Sequence, residues 1–99
     1  MKVNALLMDE KDNVVTCVEE VAAGHEIVYD KGGKICTLTA EETIPYCHKA
    51  ALDMLGAGQK VVKYGEQIGE TLKEVKKGCL VDHNNIYSVP RDYENEYVK

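Results

Sequence analysis

The chain contains no phenylalanine and no tryptophan. Its core must therefore come from Val, Ile, Leu, Ala, Met and parts of six tyrosines. A chain of 99 residues hides only about two-thirds of its unfolded surface, and one without large aromatics has little stability to spare, so contact with a larger chain would help it. No cluster of Lys and Arg forms a basic stripe. With 12 basic against 17 acidic residues and a net charge of −5, a phosphate-backbone partner is not expected, and nucleic acid is set aside. No segment approaches the roughly 20 apolar residues needed to cross a membrane. Met1-Lys2 leads into a mixed segment broken by Asn4 and Asp9 rather than into a signal peptide. No membrane partner and a cytoplasmic location are the expectations. The four cysteines, Cys17, Cys36, Cys47 and Cys79, include no CxxC pair, which argues against a zinc knuckle or a thioredoxin-type motif. Cys17 and Cys36 read as small buried hydrophobes. Cys47, beside His48, reads either as packing or as part of a site.

What is present is strand-like. Val3 to Met8 and Val14 to Val18 read as short strands joined by the polar Asp9-Glu10-Lys11-Asp12-Asn13, whose Asp and Asn residues favour a turn. Ile27 to Tyr29 and Lys34 to Thr39 read as a second hairpin around Asp30-Lys31-Gly32-Gly33, where glycine supplies the positive φ of a tight turn. A short pattern then recurs: an apolar residue, another three on, glycine three further, and an apolar residue three beyond that. It runs through Val18, Val21, Gly24 and Ile27, then Leu52, Leu55, Gly58 and Val61, then Leu72, Val75, Gly78 and Val81. A degenerate copy passes through Ile44, Cys47 and Ala50, with Cys47 in the glycine position. Each copy reads as one helical or 3-10 turn, a glycine that reverses the backbone, and a strand returning to the core. The irregular spacing between copies excludes a solenoid and suits a pseudo-symmetric, mostly β single domain over residues 1–87. Leu72 to Lys77 could make one helical turn. The tail 88–99, with Tyr93 and Tyr97 among charges, is expected either to dock on a partner or to fray.

The stretch from Ile44 to Glu70 carries most of the functional information. His48-Lys49 follows a turn at Pro45, an apolar run comes next, and the stretch closes on Lys63-Tyr64-Gly65 and Ile68-Gly69. Four segments, Asp12-Asn13-Val14-Val15, His48-Lys49-Ala50-Ala51-Leu52, Val62 to Gly69 and Gly78 to Asn85, together resemble the altronate dehydratase and galactarate dehydratase family, in particular its N-terminal SAF-type domain. The resemblance spans about Val3 to Asn85. It implies a β-clip fold related to type III antifreeze proteins. Many members carry a long catalytic domain after this one, so the resemblance implies a separately encoded small subunit here. The same two-part arrangement is known for sulfolactate sulfo-lyase, whose alpha subunit the chain also resembles. Cys47 replaces the glycine that usually precedes the His-Lys pair, Tyr46 is unusual, and a histidine-rich ending is reduced to Asp82-His83-Asn84-Asn85.

The family chemistry implied is loss of water from a sugar acid hydroxylated at C2 and C3, giving a 2-keto-3-deoxy acid. The C2 proton is weakly acidic beside a carboxylate, so its removal needs a metal or a positive charge to hold the developing enediolate. Departure of the C3 hydroxyl needs a general acid or the same metal. On the resemblance, His48 and Lys49 are the candidate catalytic residues. His48 suits proton transfer or metal binding, its bland alternative being a hydrogen-bonded structural histidine. Lys63, Tyr64, Gly65, Asp82 and His83 are candidates for binding substrate. Lys49 and Lys63 suit pairing with a substrate carboxylate or with acidic groups of the large subunit, and otherwise read as solvated ammonium groups. Gly65 and Gly69 permit close approach of a ligand or another chain, though backbone geometry alone would explain them. Asp82 and His83 read equally as an exposed polar loop, and His25 as a surface turn. No pair of His, Asp, Glu or Cys shows ligand spacing for a complete metal site. The expected divalent metal, iron or manganese, would be held mainly by the large subunit, with His48 or His83 as possible contributors, and the isolated chain would bind it weakly and turn over nothing. The partners implied are a large catalytic subunit and a small sugar-acid substrate, with a homo-oligomer possible in isolation. Two alternatives stand beside the dehydratase reading: the alpha subunit of a sulfo-lyase, and a non-catalytic module that binds a carbohydrate acid or only assembles a partner enzyme.

Overall fold

A computed structural model describes residues 2–88, and the expectations for residues 89–99 of the tail lie outside them. Nine strands follow in order: β1 (Ala5–Leu6), β2 (Val14–Cys17), β3 (Glu26–Lys31), β4 (Lys34–Thr39), β5 (Lys49–Ala51), β6 (Lys60–Lys63), β7 (Glu66–Thr71), β8 (Leu80–Val81) and β9 (Ile86–Ser88). Ser88, read above as the first residue of the tail, closes β9 opposite Gly69. The central antiparallel sheet has the order β1-β2-β5-β8, flanked by the β3-β4 hairpin and by the sheet β6-β7-β9. Both expected hairpins form, the first with a β1 of only two residues. None of the described residues forms a helix, and so none could cross a membrane as one.

Alternation along the central strands divides the core in two. Ala5, Val15, Cys17 and Ala50 face a cluster with Ile27, Leu38 and Ile44, while Val14, Ala51 and Val81 face one with Leu55, Val61 and Val75. Period-2 alternation sends successive residues to opposite faces. Small aliphatic side chains on both faces make two thin layers, which is how the chain manages without Phe or Trp. Cys17 is fully buried. Cys36 is only half-buried, because its strand belongs to a two-stranded hairpin with no third strand beside it.

The four copies of the recurring pattern share one conformation. Val21 bridges Ile44, and Leu55 bridges Val75. Each bridging residue leads into a tight turn closed by an N–H donating three residues back, from His25 to Ala22, His48 to Pro45, Gln59 to Gly56 and Cys79 to Lys76. In every turn the residue before that donor is left-handed: Gly24, Gly58 and Gly78, and also Cys47 at φ 65°. The degenerate copy is therefore a true copy. The helical or 3-10 turns expected here, including Leu72 to Lys77, are replaced by this bridge-and-turn unit. Its backbone bonds take the groups a helix would need, and six residues are too few to nucleate one.

Two asparagines repeat the symmetry. Asn4 donates N–H to Val28 O, accepts from Val28 N at 2.7 Å and donates its amide to Glu26 O at 3.0 Å. Asn13 makes the same three bonds with Val62 and Lys60. Each clamps one hairpin to the central sheet.

The buried Cys17 thiol is pushed up to about 11 from 9.0 by desolvation. Its folded value lies above its unfolded one, so the associated stability is complete below pH 9.0 and is lost as pH rises toward 11. By the usual 1.36 kcal/mol for each pH unit, the loss reaches about 2–3 kcal/mol. Urea midpoints for Cys17→Ala should fall less steeply between those pH values than the wild type's. Parallel slopes would remove Cys17 as the cause.

Candidate functional site

Lys49 opens β5, with Thr16 of β2 on one side and Val81 of β8 on the other. It shares a face of the sheet with Ala51, two residues on, and so the side of the second core, and it is half-buried there. Burial lowers its pKa first, the Lys63 ammonium lowers it further, and the Asp82 carboxylate acts in the opposite sense. Three residues picked out far apart in sequence are thus brought within charge–charge range. Thr16, directly across from Lys49, has a buried hydroxyl with no hydrogen-bond partner among the described residues.

Lys63 ends β6, and Tyr64-Gly65 is a two-residue hairpin turn closed by Lys63 and Glu66. Both turn residues have positive φ, 59° for Tyr64 and 71° for Gly65. Such hairpins favour Asn-Gly or Gly-Gly, so a tyrosine there is strained. The Asp12 carboxylate offsets that strain by accepting N–H bonds from Tyr64 at 3.1 Å and Gly65 at 2.8 Å. Tyr64 is 61% exposed, and the Lys63 Nζ lies 5.2 Å from its ring centroid, a cation–π contact. A side chain at Gly65 would crowd the Asp9 carboxylate at 3.1 Å, and one at Gly69 would strike Tyr87 O at 2.6 Å. The close approach at Gly69 is therefore made by β9.

His48 is exposed in the turn before β5, and its Nδ1 lies 2.9 Å from Tyr46 O. A carbonyl oxygen can only accept, so Nδ1 carries the proton and Nε2 of the neutral ring is left as an acceptor. Lys49, Lys63 and Asp82 are linked through charge alone, with no ion pair among them, and the one side-chain hydrogen bond of His48 among the described residues is to this carbonyl. Asp82 also caps its own loop, accepting from Asn84 N at 2.9 Å, while Asn85 accepts from Asp82 N and donates to Leu80 O. His83 is exposed on that loop and His25 on its turn. A groove of about 360 Å³ beside Asp82 is lined by Glu42, Lys73, Cys79 and Asn85. A larger one of about 760 Å³ lies between Asp9 and the β3-β4 hairpin. Neither is lined by His48, Lys49 or Lys63. Among the described residues no three His, Cys, Asp or Glu side chains converge to hold a metal ion.

Asp12 is the residue that sequence reasoning missed. Its neighbours Asp9 to Asn13 favour a turn, and nothing in its spacing announces a bond to a residue 52 positions away. Its low exposure of 7% is visible only in three dimensions.

These features define a mostly-β, β-clip domain with a half-buried pair of lysines. The chain belongs to the altronate/galactarate dehydratase SAF domain family, whose model matches residues 3–89. It is 32% identical over 85 residues to the altronate dehydratase of Escherichia coli (strain K12), a match covering 86% of this chain and 15% of that protein. It is 44% identical over 48 residues to the (2R)-sulfolactate sulfo-lyase subunit alpha of Paracoccus pantotrophus, covering 48% of this chain and 72% of that subunit.

Proposed function

We propose that this chain is the small subunit of a sugar-acid dehydratase and supplies one wall of an active site completed by a larger catalytic subunit. The reading is supported by Lys49 at the start of β5, Lys63 at the end of β6 and Asp82 just after β8 lying near enough to act on one another through charge. Two neighbouring ammonium groups repel, the Asp82 carboxylate offsets the effect of Lys63 on Lys49 only in part, and an anion bound beside them would supply the rest. A sugar acid offers that anion in its carboxylate, and charge-assisted bonds to it strengthen as negative charge builds on the enediolate after loss of the C2 proton. His48, with Nε2 free as an acceptor, is placed to take a proton or to return one to the departing C3 hydroxyl. Tyr64 and Gly65 would line the substrate, and Asp82 and His83 would bound the site from the β8-β9 loop. In this reading the divalent metal is bound by the large subunit, because the described residues offer no three-ligand set.

A second reading is favoured by the same lysine pair and by the 44% identical relative. A sulfonate is ionised at any physiological pH and demands cationic partners, so expulsion of sulfite from a 2-hydroxy acid suits this wall as well. Co-purification with a candidate large chain of the dehydratase family, followed by assay with ferrous iron or manganese against altronate, galactarate and sulfolactate, separates the readings. Keto-acid product from a sugar acid only when both chains are present is the expected result. Sulfite release would select the sulfo-lyase reading, and a complex fully active after His48→Ala and Lys49→Met would reduce the domain to an assembly module.

A further inference from the structure

The molecule contains its own comparison for the Tyr64-Gly65 turn. The β3-β4 hairpin also turns on two residues of positive φ, Gly32 and Gly33, and it is closed locally by Asp30, whose carboxylate accepts from Gly33 N at 2.7 Å. That turn is unstrained and self-sufficient. The β6-β7 turn carries tyrosine at the first of these positions and takes its carboxylate from Asp12, in the loop between β1 and β2. Asp12 is 7% exposed, and its carboxylate also accepts from Asp9 N at 3.1 Å. The one ion pair among the described residues is Lys2 with Glu19, so the Asp12 charge is met by three backbone N–H groups. A turn needed only to reverse the chain would keep two glycines. What this construction adds is a fixed place for an exposed phenol and for the Lys63 ammonium beside it.

We propose that Asp12 is a positioning residue for the Lys49–Lys63 anion site, acting through the backbone of Tyr64 and Gly65 to hold Lys63 in reach of Lys49. The inference rests on the reading of that pair as the seat of the substrate's anionic group. Lys63 leaves the strand one residue before the turn, so any slackening of Tyr64 swings its stem. Gly65 is needed for the same contact, because the Asp9 and Asp12 carboxylates pack directly beneath it.

Asp12→Asn keeps the shape of the side chain but turns one acceptor into a donor. In the isolated chain, amide hydrogen exchange at Tyr64 and Gly65 should accelerate at least tenfold, while Val15 and Ala50 in the central sheet keep the wild-type rate. In the two-chain enzyme, KM for the acid should rise several-fold with kcat within about twofold, as expected when binding geometry is loosened and the reacting groups are untouched. Tyr64→Gly relieves the strain, so Asp12→Asn should raise KM less in that background than in the wild type. Unchanged exchange at Tyr64 and Gly65, acceleration spread equally over Val15 and Ala50, or an equal KM effect in both backgrounds would each overturn the proposal. A wild-type complex that turns over none of the acids defeats the reading of the site, whereas the exchange pattern still decides whether Asp12 holds the turn.

Discussion

Lys49→Met should lower kcat/KM of the two-chain enzyme by about 30- to 150-fold, the loss expected when a charge-assisted bond worth about 2–3 kcal/mol is removed. The same substitution should leave the domain as stable as before or make it more stable. Lys49 is half-buried, its charge is disfavoured by desolvation and by Lys63, and methionine keeps most of the stem on the side of the second core while removing the charge. A purely structural residue would show both measurements falling together. Linkage gives the same sign independently. The folded state releases the Lys49 proton more readily than the unfolded one, so this group's unfavourable contribution is fully present at neutral pH and is relieved as pH climbs toward the ordinary lysine value of 10.5. Urea unfolding of the isolated chain and steady-state kinetics of the complex are the two measurements. Full turnover by Lys49→Met would sink the anion-site reading.

Gly78→Ala should be the most destabilising of the turn substitutions. At φ +85° an alanine costs about 1–2 kcal/mol for the left-handed conformation alone. Its Cβ would also stand on the carbonyl oxygen of Thr39, and forcing packed backbone apart costs about 1–3 kcal/mol more. Both of its own backbone groups are engaged, N–H with Ala51 O and C=O with Glu41 N, so the turn cannot easily move away. A total of about 2–5 kcal/mol would consume much of the stability of a small domain, typically about 5–15 kcal/mol. Gly24 is the internal control, with φ +83° and nothing within 4 Å of a built Cβ, so Gly24→Ala should lose only the conformational share. Cys47 occupies the equivalent position in the Ile44 to Ala50 copy and is exposed. Cys47→Gly should therefore gain up to about 1 kcal/mol, reduced by the greater freedom of glycine in the unfolded chain. Equal urea midpoints for Gly78→Ala and Gly24→Ala would show that the Thr39 contact yields without cost.

The recurring pattern was legible because its chemistry is local. A left-handed residue selects glycine, and the flanking apolar positions select burial, so even the copy that substitutes Cys47 kept its geometry at Ile44 and Ala50. The β3-β4 hairpin was legible for the same reason, through Gly32-Gly33. The helical expectation for Leu72 to Lys77 failed because apolar residues three apart suit both one turn of helix and a bridge followed by a turn. Only the partner strand distinguishes them, and Val75 has one in Leu55.

The candidate site divides in the same way. Residue types and order marked His48, Lys49, Lys63, Tyr64 and Asp82 as chemically capable, but nothing in a linear chain says which of them share a face. The pairing of β5 with β2 and β8 put Lys49 on the side of the second core, within reach of Lys63 and Asp82. The β1-β2 loop delivered Asp12 to a turn on another sheet. By itself the sequence determined a small aliphatic β domain, its hairpins, its repeated left-handed turns and its family, since each follows from local backbone preference, alternation or matched segments. The tertiary structure decided which charges meet and what holds the strained turn, because electrostatic coupling and the burial of a carboxylate depend on distances that only chain crossings set.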